Sequence, residues 1–215
     1  SIVLTASGGP FQDTPLADLQ NVTPDQALNH PVWNMGPRIT IDSATMANKA
    51  LELVEAHHLF GVTDQQLHAI VHPGSLVHGM VHLHDGTTLM QMSAPDMAGP
   101  IRWALTAGEH DAAVAPTFDP SELTNLQFSP VDSTRFPFID LGFEVIRKGG
   151  GAGCVLNAAD EVCVQAFLDG RLPYLEVYHR VAEAVDRFGH HAPSSVTDIL
   201  ELDIAVREDV ANRLS

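Results

Sequence analysis

Alternation of apolar and polar positions predicts a small sheet in the first half of the chain. An apolar run at residues 2–4 is strand-like, and further strands are predicted at 67–71, 76–84 and 87–92. Asp85-Gly86 lies between the last two strands and is typical of a tight hairpin. An antiparallel sheet with one covered face is therefore expected.

Helical periodicity replaces this alternation elsewhere. It runs from Asp42 to Phe60, with Asp42 or Ser43 available as the N-cap and Gly61 as the terminator. Four more stretches have the spacing of amphipathic helices and are separated by glycine or proline. These stretches are 136–148, 158–168, 174–188 and 203–214. Short helices joined by short loops predict a helical bundle.

Together these patterns predict an α+β fold with two domains. Residues 1–105 are expected to form a domain with a small, mostly antiparallel sheet covered by helices, and residues 133–215 a C-terminal helical bundle. Residues 106–132 are interpreted as a linker. Pro116, Pro120 and Pro130 stand there among Ser, Asp and Asn, and no long periodic stretch occurs.

Composition narrows the class of protein. The formal net charge of −16 argues against nucleic-acid binding, which depends on Lys and Arg. No apolar run approaches the roughly 20 residues of a membrane-spanning helix, so no membrane segment is predicted. Cys154 and Cys163 are too few for a disulfide framework, which predicts a reducing, cytoplasmic location.

The chain starts at Ser1 directly on a strand, without a signal-peptide pattern, and is expected to come from the middle of a larger protein.

Two segments have the composition of a phosphate site. Ser7 precedes Gly8-Gly9, so a hydroxyl and backbone amides could approach an anion there, although such a segment is more often only a turn. Ser43 is expected at a helix N-terminus, and Lys49 could add a full positive charge. Asn48 and Glu52 lie four positions apart and are expected on the same helix face. The alternative is that these polar residues are the solvated side of an amphipathic helix.

Histidines suggest a different kind of site. His72, His78, His82 and His84 crowd the predicted hairpin, and the last three are expected on one face of a strand. This arrangement leaves open a zinc- or iron-dependent hydrolase, although no HExxH pattern occurs. Separately, the loop at 30–36, with His30 and Trp33, has the composition of a flap that closes on a ligand, or of an ordinary packed turn.

The motifs taken in order resemble one family over essentially the whole chain. That family is 1-deoxy-D-xylulose 5-phosphate reductoisomerase. The residues that carry the resemblance are Ser7-Gly8-Gly9-Pro10-Phe11, Thr23-Pro24-Asp25-Gln26-Ala27, His30-Pro31-x-Trp33-x-Met35-Gly36, Ile41-Asp42-Ser43-Ala44-Thr45-Met46-x-Asn48-Lys49, His72-Pro73-x-Ser75-x-x-His78-x-Met80-Val81, Pro95-Asp96-Met97 and Leu156-Asn157-Ala158-Ala159-Asp160-Glu161.

The resemblance implies an oxidoreductase and isomerase of non-mevalonate isoprenoid synthesis. Such an enzyme converts 1-deoxy-D-xylulose 5-phosphate to 2-C-methyl-D-erythritol 4-phosphate with NADPH and a divalent metal. By motif, the substrate-binding residues would be Ser7, His30, Trp33, Ser43, Asn48, Lys49 and Glu52. His30 and Glu52 would be catalytic, Glu52 would ligate Mg or Mn, and Gly36 would lie near the cofactor.

The resemblance also implies what this chain does not contain. The family's N-terminal NADPH-binding domain and the Asp-Ser-Glu segment with other metal ligands do not occur in it, so the chain alone is not expected to turn over. A homodimer is the family expectation. Departures from the usual motifs are Pro37-Arg38, Ala50, Gly74, Gly79 and Ala98. A third possibility is a non-catalytic module that binds phosphosugars or mediates dimerisation.

Overall fold

The computed structural model describes residues 1–109, 121, 123 and 126–214. It contains a five-stranded sheet and a set of helices packed on it. The strands are β1 (Ile2–Ala6), β2 (Leu67–Val71), β3 (Val77–His82), β4 (Thr88–Met92) and β5 (Ser129–Pro130). The helices are α1 (Pro24–Ala27), α2 (Pro37–Thr45), α3 (Ala47–Phe60), α4 (Ala98–Leu105), α5 (Phe138–Lys148), α6 (Ala152–Leu168), α7 (Tyr174–Phe188) and α8 (Val196–Arg213).

The sheet is mostly antiparallel, as the sequence predicts. Its strand order is β4-β3-β1-β2-β5, and only the β1–β2 pair is parallel. A parallel pair needs a crossover, which α2 and α3 provide between β1 and β2. The β3–β4 hairpin is also confirmed, and Gly86 occupies a positive φ of 87° in its turn.

The helix predicted from residue 42 to residue 60 is in fact two helices, so the prediction of its N-cap is wrong. Gly36 is the N-cap of α2 and Pro37 its first residue, and the fixed φ of proline suits that first position. Asp42 and Ser43 therefore lie inside α2. Met46 adopts the left-handed conformation, with a φ of 65°, and separates α2 from α3. The predicted terminator, Gly61, is confirmed at the end of α3 with a φ of 62°.

The C-terminal helices form where the sequence predicts them, with two early starts. Helix α6 begins at Ala152 rather than residue 158. The sequence did not reveal this start, because much of the helix is buried and its apolar positions do not define one face. Helix α8 begins at Val196 rather than residue 203, where Ser195 and Asp198 form a reciprocal capping box. Helix α4 was not predicted. Part of the predicted linker, residues 110–120, 122, 124 and 125, lies outside the described residues.

One hydrophobic core runs from the sheet through the C-terminal helices. Ile2, Leu4 and Ala6 of β1 pack against it, and it includes buried side chains from α2 and α3 as well as α5 to α8. A smaller cluster around Val3, Val77 and Met80 lies on the other face of the sheet. The helical second half therefore supports the first half directly. The division into domains at residues 105 and 133 stays a prediction.

No helix among the described residues has both the length and the apolar character needed to cross a membrane.

Candidate active site

Three side chains predicted to bind substrate meet at one point. Ser7 follows the end of β1, His30 lies in the loop before α2, and Ser43 is on α2. The His30 Nε2 atom is 3.1 Å from the Ser7 hydroxyl and 3.1 Å from the Ser43 hydroxyl. Residues separated by up to 36 positions thus form one hydrogen-bonded cluster, which we call the Ser7–His30–Ser43 cluster.

Backbone amides determine which nitrogen of His30 carries the proton. The Nδ1 atom accepts hydrogen bonds from the amides of Val32 at 3.1 Å and Trp33 at 2.9 Å, so it has no proton. A neutral ring therefore carries its proton on Nε2 and donates it toward the serine hydroxyls. Burial lowers the pKa of His30, which favours this neutral form. The imidazole is thus a directed hydrogen-bond donor.

The Ser7-Gly8-Gly9 turn approaches the backbone of α2 closely. Gly9 has a φ of 64°, and a Cβ there would stand 2.8 Å from the carbonyl oxygen of Ser43. The Gly9 amide donates to the Ser7 hydroxyl over 3.2 Å. Glycine is needed here for both its conformation and its small volume, because a side chain would push the turn away from Ser43.

A second polar group lies on the first two turns of α3. The Asn48 amide nitrogen donates to Glu52 Oε1 at 2.5 Å, and Lys49 Nζ donates to Glu52 Oε2 at 2.5 Å. Both oxygens of Glu52 are therefore held by neighbours one turn away. The predicted common face of Asn48 and Glu52 is confirmed. In this arrangement Lys49 and Glu52 neutralise each other, and a bound anion or cation would have to replace that ion pair.

The predicted role of Ser43 at a helix N-terminus is wrong, because Ser43 lies in the second half of α2. The next helix N-terminus along the chain is that of α3, which begins at Ala47 after the break at Met46. Backbone amides in the first turn of a helix lack intrahelical acceptors. Asn48 and Lys49 lie in that turn, so they, and not Ser43, combine side chains with a helix terminus.

The loop from His30 to Gly36 connects the cluster to α2. The Trp33 side chain is half-buried, and its backbone amide helps to hold His30. Gly36 is exposed, and a Cβ there would meet nothing within 4 Å. The fold itself therefore does not require glycine at position 36. Arg38, one of the departures from the family motifs, donates from Nη2 to Asn157 Oδ1 at 2.9 Å.

The hairpin histidines do not form a metal site. The described part of the chain contains no group of three or more His, Cys, Asp or Glu residues that could hold a metal ion. His72 is buried, and its Nδ1 is 2.7 Å from the Gln127 carbonyl oxygen; His78 Nε2 is 2.9 Å from the Ser93 hydroxyl. His84 lies in the hairpin turn, so its predicted place on the face of a strand is wrong. The hydrolase alternative thus lacks its site among these residues.

Sequence reasoning missed two side chains that support the candidate site. The Tyr174 hydroxyl donates to the carbonyl oxygen of Ala44 at 2.7 Å, and Asp160 lies against Asp42. Both come from the C-terminal helices, more than 100 positions away along the chain. The only sequence signal was the family motif at residues 156–161, which contains Asp160 but does not show that it is buried. Burial lowers the pKa of His78, and the charges of His72 and Lys49 lower it further.

Family models match both parts of the chain. Residues 92–209 match the model described as DXP reductoisomerase C-terminal domain. Residues 1–60 match the model described as 1-deoxy-D-xylulose 5-phosphate reductoisomerase C-terminal domain. The second match includes every residue of the candidate site that the sequence predicts.

Curated relatives bear the same name. The 1-deoxy-D-xylulose 5-phosphate reductoisomerase of Solibacter usitatus is 46% identical over 202 residues, which are 94% of this chain and 51% of that protein. The same enzyme of Thermodesulfovibrio yellowstonii is 46% identical over 207 residues, which are 96% of this chain and 54% of that protein. The chain therefore spans about half the length of the curated relatives it matches.

Solved structures have the same fold. A DOX-P reductoisomerase in complex with NADPH, fosmidomycin and magnesium superposes with a TM-score of 0.93 at 35% identity, over all of this chain and 55% of that one. The reductoisomerase from Zymomonas mobilis in complex with NADPH gives a TM-score of 0.91 at 39% identity, over all of this chain and 55% of that one. With one family model alone matching more than half of its residues, the chain belongs to the 1-deoxy-D-xylulose 5-phosphate reductoisomerase family.

Proposed function

We propose that this chain supplies the substrate-binding part of a 1-deoxy-D-xylulose 5-phosphate reductoisomerase. That enzyme isomerises its ketose phosphate substrate and reduces it with NADPH to 2-C-methyl-D-erythritol 4-phosphate, in non-mevalonate isoprenoid biosynthesis. The relatives named for this activity support the proposal. The observation that carries it is the Ser7–His30–Ser43 cluster, which directs hydroxyl groups and one N–H donor to a single point.

The cluster and Lys49 are suited to hold a phosphate. Hydroxyl and imidazole donors bond to phosphate oxygens, and an ammonium group adds a charge-assisted bond. Remote binding energy of this kind holds the ketose in place while its carbon skeleton rearranges. We assign this role to Ser7, Ser43, Asn48 and Lys49, with His30 and Trp33 covering the substrate and excluding water.

Glu52 would contribute one oxygen ligand to a divalent Mg or Mn ion. Its carboxylate chemistry fits a hard cation, but the described residues offer no complete ligand set, so further ligands must come from outside them. When bound, the metal would polarise the carbonyl and adjacent hydroxyl of the ketose. Release of Glu52 from Asn48 and Lys49 would free the ammonium group of Lys49 for the phosphate and the carboxylate for the cation.

NADPH binding by this chain would be limited to contact near Gly36. A dinucleotide site needs a glycine-rich turn between a strand and a helix N-terminus, and the segment after β1 has Ser7-Gly8-Gly9-Pro10 instead. We therefore expect no turnover from this chain by itself. The open space around Gly36 leaves room for a nicotinamide ring to approach.

Titration calorimetry tests the phosphate assignment. With Mg present, the chain is expected to bind 1-deoxy-D-xylulose 5-phosphate but not the dephosphorylated sugar. Lys49→Ala should weaken binding by about 10- to 100-fold, because it removes a charge-assisted hydrogen bond worth roughly 1.5–3 kcal/mol. Ser43→Ala should weaken it by about threefold to tenfold, because it removes a neutral one.

Matched variants control for nonspecific effects. Lys148→Ala removes the only other lysine of the chain, which pairs with Glu144 and Asp186 on the surface. Ser133→Ala removes an exposed hydroxyl that bonds to Asp140. Both should bind like the unchanged protein. Equal affinity for the sugar with and without phosphate, or no effect of Lys49→Ala, would contradict the assignment.

A homodimer and a cytoplasmic location are further proposals. Strand β4 is an edge of the sheet, and Leu89 on it is 57% exposed beside its cross-strand partner Val81 at 41%. An exposed apolar edge strand is suited to pair with a second copy. In light scattering, Leu89→Lys should shift the chain toward monomer by at least about tenfold in dissociation constant, while Thr87→Lys in the turn should not. A wild-type monomer at every concentration would contradict the dimer.

For location, the two free cysteines suit a reducing compartment.

A further inference from the structure

Two buried carboxyl groups meet where α2 crosses α6. Asp160 of α6 is 0% exposed and Asp42 of α2 is 4% exposed. The two groups lie within hydrogen-bonding reach of each other. Asp42 immediately precedes Ser43, so this contact connects the Ser7–His30–Ser43 cluster to the C-terminal helices.

Two ionised groups cannot account for this contact. Ionised carboxylates only accept hydrogen bonds, and within the described structure three of the four oxygens, Asp42 Oδ1 and both of Asp160, find no donor. Arg38 does not supply one, since it stands 3.7 Å from Asp42 Oδ2 and 3.8 Å from Asp160 Oδ2. Buried oxygens without donors are costly. A proton on one carboxyl group would convert the contact into an O–H···O bond.

The surrounding charges indicate which group keeps the proton. Arg38 faces both carboxyl groups, but it bonds more closely to Glu161 at 3.2 Å. Burial raises the pKa of Asp160 well above its ordinary value, and the nearby charge of Asp42 raises it further. The pKa of Asp42 is raised less, to about 6, because Arg38 and the bond from Asp160 oppose the effect of burial. Asp160 is therefore the donor near neutral pH.

Groups on the neighbouring helices do not replace this proton. Cys163 of α6 lies near Asp160, and burial raises the pKa of its thiol to about 12, so it stays neutral. Arg180 of α7 is close enough to affect Cys163, but it pairs with Glu176 and Glu183. The carboxyl pair thus carries one negative charge, which Arg38 balances.

Ser43 is anchored on both sides to the C-terminal helices. On one side, Asp42 meets Asp160 of α6. On the other, the carbonyl oxygen of Ala44 accepts a buried 2.7 Å hydrogen bond from Tyr174 of α7. Between these anchors, the Ser43 hydroxyl points to His30 at 3.1 Å. A shift of α2 against α6 would therefore move Ser43 away from His30.

We propose that Asp160 is a positioning residue, which keeps its proton at neutral pH, donates it to Asp42 and thereby holds Ser43 in place to bind phosphate. The positioning step rests on the function proposed above; the shared proton does not. Asp160 is not expected to touch the substrate and acts only through Asp42 and α2.

The test compares the unchanged chain with Asp160→Asn and Asp160→Ala. An amide at position 160 can still donate to Asp42, whereas a methyl group cannot. Three measurements are made near pH 7: the infrared C=O stretch of a protonated carboxylic acid, hydrogen exchange of backbone amides in residues 42–49, and calorimetric affinity for inorganic phosphate. The Asn variant is thus a matched rescue of the hydrogen bond without the titratable group.

The unchanged chain should give the carboxylic-acid band, and Asp160→Asn should lack it. Asp160→Asn should keep the exchange protection of residues 42–49 and the phosphate affinity. Asp160→Ala should lose about tenfold in that protection, equivalent to one hydrogen bond, and several-fold in affinity. A missing band in the unchanged chain, or equal behaviour of the two variants, would overturn the proposal.

Three further outcomes distinguish a failure of this proposal from other causes. If none of the three proteins binds phosphate, the proposed function fails, while the band and the exchange data still decide whether Asp160 holds α2. If Asp160→Ala does not fold, the band and the Asn variant decide it. If phosphate binds but neither substitution of Asp160 changes the hydrogen exchange or the phosphate affinity, the positioning role is wrong and the phosphate site stands.

Discussion

Gly142→Val should destabilise the chain by about 3 kcal/mol or more, because it forces apart two helices that touch through their backbones. A Cβ at Gly142 of α5 would stand 3.0 Å from both Cα and Cβ of Ala50 on α3, and 3.2 Å from its carbonyl oxygen. The branches of valine would reach further into α3. Since α3 also carries Asn48, Lys49 and Glu52, binding of the ketose phosphate should weaken too. Urea unfolding measures the first effect and calorimetry the second.

A second substitution shows whether the close crossing is the cause. Ala50→Gly removes one of the clashing carbon atoms, so the double variant Ala50→Gly, Gly142→Val should recover part of the lost stability. Arg147→Val places the same β-branched residue at an exposed position of α5 and should cost about 1 kcal/mol at most. Additive effects of the two substitutions at the crossing would show that the helices do not depend on this contact.

This crossing illustrates what the sequence could not predict about the fold. Ala50 is recognised from sequence as a departure from the family motif, but nothing in the pattern shows that Gly142 packs against it. Periodicity identifies the apolar face of a helix and not its partner. The hairpin at Asp85-Gly86 was predictable because its determinants are adjacent.

The break between α2 and α3 was missed for a related reason. Periodicity continues through Met46, which takes a left-handed conformation that non-glycine residues adopt only at some cost. The tertiary contacts near it, such as the bond from Tyr174 to the carbonyl oxygen of Ala44, come from residues far along the chain. Local propensity gave no indication of them.

The sequence predicted which residues form the candidate site, but not all of their roles. The family motifs name Ser7, His30 and Ser43, and the structure brings these three together. Roles that depend on local geometry were less accessible, as the misplaced helix end at Ser43 shows. The support from Asp160 was not visible in sequence, because a single Asp within a helix gives no sign that it is buried.

Replacing Asp160 by Asn should change how stability depends on pH. In the unfolded chain this carboxyl group ionises near its ordinary pKa of 3.8, whereas burial and the charge of Asp42 raise its pKa in the folded chain. Between those two values the folded state holds one more proton than the unfolded state. The free energy of unfolding therefore falls as pH rises, by about 1.4 kcal/mol for each pH unit from this group.

Asparagine has no proton to lose, so Asp160→Asn should gain stability relative to the unchanged chain as pH rises above 6, by about 1.4 kcal/mol per unit until the raised pKa of Asp160 is reached. Starting at pH 6 separates this effect from Asp42, because its raised pKa of about 6 makes stability depend on pH mainly below that value. Urea unfolding at several pH values measures the gap, and Asp25→Asn, at an exposed carboxylate, is the control. Parallel curves for the unchanged chain and Asp160→Asn would mean that Asp160 is already ionised when buried. The unpaired oxygens would then need another source of hydrogen bonds, and the bonds from Tyr174 to Ala44 and from Arg38 to Asn157 would connect the C-terminal helices to α2.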